Sequence, residues 1–209
     1  MSQSTSFGVI YTVEQESDFG LVERLRAGDS AAFDEIYRVF NTRLLSFLTR
    51  MARNRWVAED LVEETWLRLV SSAEDLRANT RLAAWLFTVA RNLYVSYCRS
   101  RLRENAYTAD LVFLWPGELP RTPFEIASLN EFEGRLEAAI ARLPPTYREA
   151  ILLVGIEQLR PADAAAVCGV SAELLRQRLK RGRDLISRFM ARQDLSNETE
   201  RKEWSHDTK

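Results

Sequence analysis

PADAAAVCGVSAELLRQRLKRGR, residues 161–183, decides how the chain folds. Pro161 suits the first position of a helix, where its missing N–H goes unused. Ala164, Ala165 and Val167 are small enough to let two short helices cross closely. Gly169 follows Cys168 and supplies the left-handed residue that ends a helix. Ser171 is placed to cap the next one, and Glu173 in its first turn complements the helix dipole. Ala165 four residues before Gly169 is helix-turn-helix spacing. On a wheel of 172–190, Leu175, Leu179, Ile186, Phe189 and Met190 share one side. Arg176, Lys180 and Arg183 cluster opposite, flanked by Gln177 and Arg181, while Arg178 falls on the apolar arc and its role stays open. Residues 171–192 hold seven basic and two acidic side chains, net +5. Arg, Lys and Gln on one helix face predict major-groove and phosphate contact. The plainer alternative is a solvated basic face on a surface helix.

Outward from this motif the pattern stays helical. Residues 31–53 carry Phe33, Ile36, Tyr37, Phe40, Leu44, Leu45, Phe47 and Leu48 at spacings of three and four. Gly28-Asp29-Ser30 breaks the preceding helix and offers Asp29 or Ser30 as a cap. Two further helices fit 57–73 and 81–103. Residues 1–18 are polar and predict a flexible arm. Residues 108–130 carry three acids against one Arg, hold Pro116, Gly117, Pro120 and Pro123, and read as an acidic linker. The 194–209 tail lacks apolar periodicity and predicts disorder. The expected architecture is all-α: one helical domain over 19–107 and a second, with the helix-turn-helix, over 131–193.

Two faces of the first domain carry opposite charge. In VAEDLVEETWLRLVSSA (57–73), Leu61, Val62, Thr65, Trp66, Leu69 and Val70 fill one half of the wheel. Glu59, Asp60, Glu63 and Glu64 fill the other, with no Lys or Arg between them and Leu67 facing outward. Stacked like charges weaken an isolated helix slightly. An acidic face with an exposed Leu suits a basic protein surface, although a lone acidic helix face is more often simply solvated. Residues 77–103 are the converse, six Arg and no acid. On the wheel of 81–103, Leu82, Leu86, Val89, Ala90, Leu93 and Tyr97 form the core side. Arg81, Thr88, Arg91, Asn92, Ser96, Arg99 and Arg103 form the opposite stripe, with Trp85 at its border. Arginine neutralises phosphate, an amide can read a base edge, and an aromatic can stack on an unpaired base. Trp85 fits a partly buried core aromatic equally well.

Composition narrows the function classes. The chain has 209 residues and a formal net charge of −1, so the local swings cancel. Cys98 and Cys168 stand 70 positions apart, which excludes a disulfide framework and a cysteine zinc site. The single histidine, His206, lies in the polar tail, leaving almost nothing for a His base or a His metal ligand. No apolar run approaches the ~20 residues of a membrane span, and the N-terminus lacks a secretory pattern. A cytoplasmic location is expected. No Walker A or dinucleotide motif is present, so an enzyme is not expected and no cofactor is implied. Glu59, Asp60, Glu63 and Glu64, without a histidine, make a poor metal site.

AEDLVEETWLRL (58–69) followed by AWLFTVARNLYVSYCRSR (84–101) resembles region 2 of the extracytoplasmic-function sigma factors of the sigma-70 family. LPPTYREAILLVGIEQL (143–159), then the helix-turn-helix ending in LLRQRLKRGRDLI (174–186), resembles their region 4. The likeness covers about 20–107 and 131–190, in the family's order. It implies a factor that binds core RNA polymerase and directs it to promoters. Asp60, Glu63 and Glu64 would then dock on the clamp coiled coil of the largest subunit, with Leu67 beside them. Region 4 would meet the flap of the second-largest subunit. Asn92 matches the position that helps hold a flipped-out −10 base, with Arg91 next to it. Arg176, Arg178, Lys180 and Arg181 fall at positions that contact the −35 element, beside Ser171 and Gln177. An anti-sigma factor is a further expected partner.

Two stretches depart from the family pattern. Arg160-Pro161-Ala162-Asp163 stands where a Ser-Tyr-Glu-Glu-like start is usual. Ala172-Glu173-Leu174 stands where a Gly-Thr pair is common. Two other functions fit parts of the chain. A sigma-like mimic that sequesters an anti-sigma factor would not need the acid-free stripe of 77–103. A stand-alone helix-turn-helix regulator would leave the acidic face idle.

Overall fold

The computed structural model describes residues 19–106 and 131–206, and the side chains of 19–103 and 132–192. The expected arm and linker lie outside the described residues. Eight α-helical segments follow one another: α1 (19–26), α2 (Ser30–Ala52), α3 (Arg55–Ser72), α4 (Leu82–Ala106), α5 (Glu131–Ala141), α6 (Pro145–Ile151), α7 (Pro161–Cys168) and α8 (Ala172–His206). One π-helical turn, Leu152–Ile156, extends α6. No strand occurs among the described residues. Helices α1–α4 belong to one compact unit, and α5, α6, the start of α7 and α8 to another.

In the first unit, Gly28 at φ +80° ends α1. The Asp29 carboxylate then accepts the Ala31 N–H at 2.9 Å, capping α2. Arg24 reaches back to Asp29 at 2.7 Å and holds its carboxyl below the usual range. Asn54 caps α3 by accepting the Val57 N–H at 3.2 Å. Helices α2, α3 and α4 pack mutually. Ile36, Phe40, Leu44, Phe47 and Leu48 of α2 meet Leu61, Val62, Trp66 and Leu69 of α3 and Leu82, Leu86, Phe87 and Ala90 of α4 in the core. Phe47 and Phe87 stack edge to face at 5.3 Å. The buried Trp66 ring packs against Phe33 and Tyr37, and its indole N–H donates to Asn41 Oδ1 at 3.0 Å.

The fully buried part of α4 stops at Ala90. Leu93 and Tyr97, expected on the core side, are only half-buried. Beyond Ala90 no described residue of α4 is fully buried, and Tyr94 donates to the Met51 carbonyl near the end of α2 at 3.0 Å. That bond satisfies one of the orphan carbonyls at the end of α2.

The second unit is organised around α6. Arg148 is 1% exposed. Its guanidinium donates to the carbonyls of Ile140 (3.3 Å), Ala141 (2.6 Å) and Leu143 (2.9 Å), closing the C-terminal end of α5. Helix α8 packs on both α5 and α6. It approaches α6 closely at Gly182, where a Cβ would stand 2.9 Å from Ile151 Cγ1. Arg142 lies over the Phe189 ring at 4.4 Å.

The turn between α7 and α8 follows the sequence reading. Gly169 takes φ +64°. The Val170 N–H reaches the Ala165 carbonyl at 3.0 Å and the Gly169 N–H reaches Ala166 at 3.1 Å, the paired bonds of a Schellman ending. Ser171 Oγ accepts the Leu174 N–H at 3.2 Å. The departure at 160–163 is locally closed, because Arg160 pairs with Asp163 at 2.9 Å across Pro161.

The backbone of α8 stays helical through His206, where the composition of the tail predicted disorder. No Gly or Pro follows Gly182, so no residue forces the helix to stop. Continuing an existing helix avoids the cost of a new nucleus.

Candidate functional site

Helix α3 turns a mixed acidic and apolar seam to solvent. Asp60 and Glu63 are exposed and form no ion pair among the described residues. The absence of Lys or Arg inside the cluster predicts stacked like charges. Instead Arg55 pairs with Glu59 at 2.8 Å and Arg68 with Glu64 at 3.0 Å, one at each end of the cluster. Leu67 is 65% exposed, as expected. Val70, assigned to the core half, is 58% exposed. It lies at the border of the apolar arc and faces away from the packed side, although the adjacent Leu69 is buried. Trp56 is 77% exposed and was not singled out, since it precedes the stretch over which periodicity was counted. Trp56, Asp60, Glu63, Leu67 and Val70 recur at spacings of four, three, four and three. This is the repeat by which one helix lies along another.

Helix α4 carries the cationic stripe. Asn92, Ser96, Arg99 and Arg103 are exposed, while Trp85, Thr88 and Arg91 are half-buried. The Thr88 hydroxyl donates to the Ala84 carbonyl at 2.7 Å, so its remaining capacity is as an acceptor. Arg91 Nη1 donates to Asn92 Oδ1 at 3.4 Å, which leaves the amide N–H pair of Asn92 as donors for a ligand. The stripe continues past Ala90, the last fully buried residue among those described in α4.

Helix α8 presents Arg176, Gln177, Lys180 and Arg181 fully exposed, immediately after the capped turn. Leu175 and Leu179 anchor the opposite side in the core. Arg178 is half-buried, in keeping with its place at the edge of the apolar arc. Glu173 binds two of the exposed residues. Its Oε2 accepts from Arg176 Nε at 3.1 Å and from Nη2 of the same guanidinium, and its Oε1 accepts from Gln177 Nε2 at 3.2 Å. These bonds, that to Arg176 foremost, hold the Glu173 carboxyl below its usual range. The spacing of three and four residues was visible in the sequence, but which of several nearby cations Glu173 would take was not.

Among the described residues no group of three or more His, Cys, Asp or Glu is placed to hold a metal ion. No described helix is long and apolar enough to cross a membrane.

The sigma-70 region 2 family matches residues 36–104, which span α2 to α4, and the sigma-70 region 4 family matches 133–186. The chain is 36% identical over 147 residues to the ECF RNA polymerase sigma factor EcfG of Rhodopseudomonas palustris (strain TIE-1), covering 70% of this chain and 78% of the relative. It is 29% identical to the RNA polymerase sigma factor CarQ of Myxococcus xanthus, over 83% of this chain and 98% of the relative. Among solved structures, the sigma factor RpoE from Bartonella quintana, in complex with the anti-sigma factor NepR, aligns at a TM-score of 0.65 and 25% identity. That alignment covers 76% of this chain and 96% of that one.

Proposed function

This chain belongs to the sigma-70 family as an extracytoplasmic-function sigma factor, with the family's role in promoter recognition and transcription initiation, and from that premise we propose which residues carry each contact. Core RNA polymerase docks on α3 through Asp60, Glu63, Glu64 and Leu67, with Trp56 and Val70 extending the seam. The partner surface is the clamp coiled coil of the largest subunit, a helical element to which a heptad-like seam is matched. The second unit meets the flap of the second-largest subunit. The melted −10 element lies along α4, where Asn92 and Arg91 engage a flipped-out base. Trp85, Thr88, Ser96, Arg99 and Arg103 flank it. The −35 element is read by Arg176, Gln177, Arg178, Lys180 and Arg181, with Ser171 at the start of the helix.

The observation that carries this reading is the segregation of charge within one unit. The only two exposed acids of α3 without an ion partner lie on a seam with exposed apolar residues, whereas α4 carries an acid-free cationic stripe. Flipping a base costs a few kcal/mol, which contacts such as those of Asn92 and Arg91 offset. Neither DNA-facing helix needs high affinity alone, because attachment to one polymerase raises the effective concentration of each at its element. The relative crystallised with an anti-sigma factor supports a partner of that class here. The reading places the protein in the cytoplasm. The sigma-70 family is not an enzyme family, and no chemical step is assigned.

Run-off transcription with core polymerase and a genomic fragment library tests the whole proposal. Discrete starts that share −35 and −10 elements are expected. Reversal of both Glu63 and Glu64 to Lys is expected to abolish polymerase binding. Unchanged binding removes the docking assignment, and absence of starts with absence of core binding moves the chain to the mimic or the free-standing regulator.

A further inference from the structure

The three-residue cluster at the start of α8 has a consequence for specificity that rests on the reading of α8 as the −35 helix. Glu173 engages Arg176 side-on, through Nε and Nη2. The other edge of the guanidinium, Nη1 with the second Nη2 hydrogen, is left in the geometry that matches a bidentate acceptor such as O6 and N7 of guanine. Gln177 gives one amide hydrogen to the same carboxylate. Its carbonyl and second N–H remain, which is the pair that matches adenine N6 and N7. A carboxylate at this place also repels phosphate, so Arg176 is kept from an indiscriminate backbone contact. The helix dipole favours an acid in this first turn, but it does not require the bonds of Glu173 to Arg176 and Gln177, and burial does not hold the exposed side chain there.

We propose that Glu173 is a positioning residue for promoter discrimination: it holds Arg176 and Gln177 edge-on for base readout and sacrifices general DNA affinity to do so. Arginine on a flexible stem loses entropy when ordered on DNA, and the carboxylate removes part of that loss in advance. The cluster therefore acts on which −35 sequence is chosen rather than on how tightly DNA in general is held.

The test uses full-length protein in complex with core polymerase and a promoter library randomised across the −35 element. Arg176→Ala is expected to erase preference at one base pair. Glu173→Gln, which keeps the shape and removes the charge, is expected to weaken preference at that same base pair by roughly fivefold or more while binding to unrelated DNA rises. The double variant Glu173→Gln with Arg176→Ala is expected to discriminate no worse there than Arg176→Ala alone. Equal gains in affinity for every sequence, with preference intact, overturn the proposal and leave Glu173 a mere repulsive charge. Additive losses in the double variant overturn it as well. If Arg176→Ala itself leaves −35 preference unchanged, the fault lies earlier, in the assignment of α8 to the −35 element.

Discussion

Arg148 and Gly182 show how single positions hold the second unit together. A buried guanidinium is costly unless its donors are used, and here three carbonyls at the end of α5 use them. Arg148→Met keeps much of the volume and orphans those carbonyls. The expected destabilisation is about 3 kcal/mol, from leaving buried acceptors unpaired. Hydrogen exchange of the α5 and α6 amides reads this unit separately, and unchanged protection there shows that water replaces the guanidinium. Gly182 is the opposite case. In an open helix, Gly→Ala gains up to ~1 kcal/mol. Against Ile151 the added methyl meets the Cγ1 methylene at 2.9 Å, inside a buried branched side chain rather than at the end of a long flexible one. Overpacking costs about 1–3 kcal/mol, so Gly182→Ala is expected to lower stability on balance. A rise in the denaturation midpoint means that Ile151 moves aside. Neither role was legible beforehand. Arg148 lies in 143–159 and Gly182 in 174–186, and no local pattern in either stretch marks a buried guanidinium or a close helix contact.

At the scale of elements, the long helices show one face to the core and another to solvent, and periodicity located most of these faces. The buried residues of α2 recur at the expected spacing, and the α7–α8 turn has the cap, the left-handed glycine and the small residues that were expected. The misjudged positions lie at edges. Val70 stands at the border of the apolar arc and faces out beside the buried Leu69, and Leu93 and Tyr97 lie past the last fully buried residue of α4. Wheel geometry assigns a direction to a side chain. It does not say whether another element is there to cover it. The consequence for α4 is testable through Asn92, exposed on the part of the helix beyond the core. Asn92→Ala is expected to slow promoter opening, followed by permanganate reactivity of unpaired thymines, with polymerase affinity unchanged. Equal loss of opening and affinity makes Asn92 a structural residue instead.

Across the whole molecule, near-neutral net charge conceals a division of labour. A chain of uniform charge at −1 would have little attraction for nucleic acid. Here the exposed acids of α3 and the exposed cations of α4 and of the start of α8 stand on separate helices, a division that the proposed contacts with a protein partner and with DNA would use. Each phosphate neutralised releases counterions, and promoter binding by the polymerase complex is expected to weaken steeply with salt. Arg99→Ala is expected to reduce the slope of log affinity against log salt by about one, without altering sequence preference. An unchanged slope removes Arg99 from the DNA path.

The sequence by itself determined the helical class, the helix-turn-helix, the outward acids of α3 and the cationic stripe of α4. Each of these depends on local spacing along one helix or on the backbone preference of one residue, and both are written in consecutive positions. The tertiary structure alone decided which faces were covered, that Arg148 closes α5, that Gly182 admits Ile151, and that Trp56 and Val70 stand open beside the acids. Those outcomes depend on residues distant in sequence arriving at one place. Burial is a property of the neighbour that arrives, and no local pattern contains it. Glu173 lies between the two: its spacing to Arg176 and Gln177 is local, but only the conformation of the side chains decided that one carboxylate binds both.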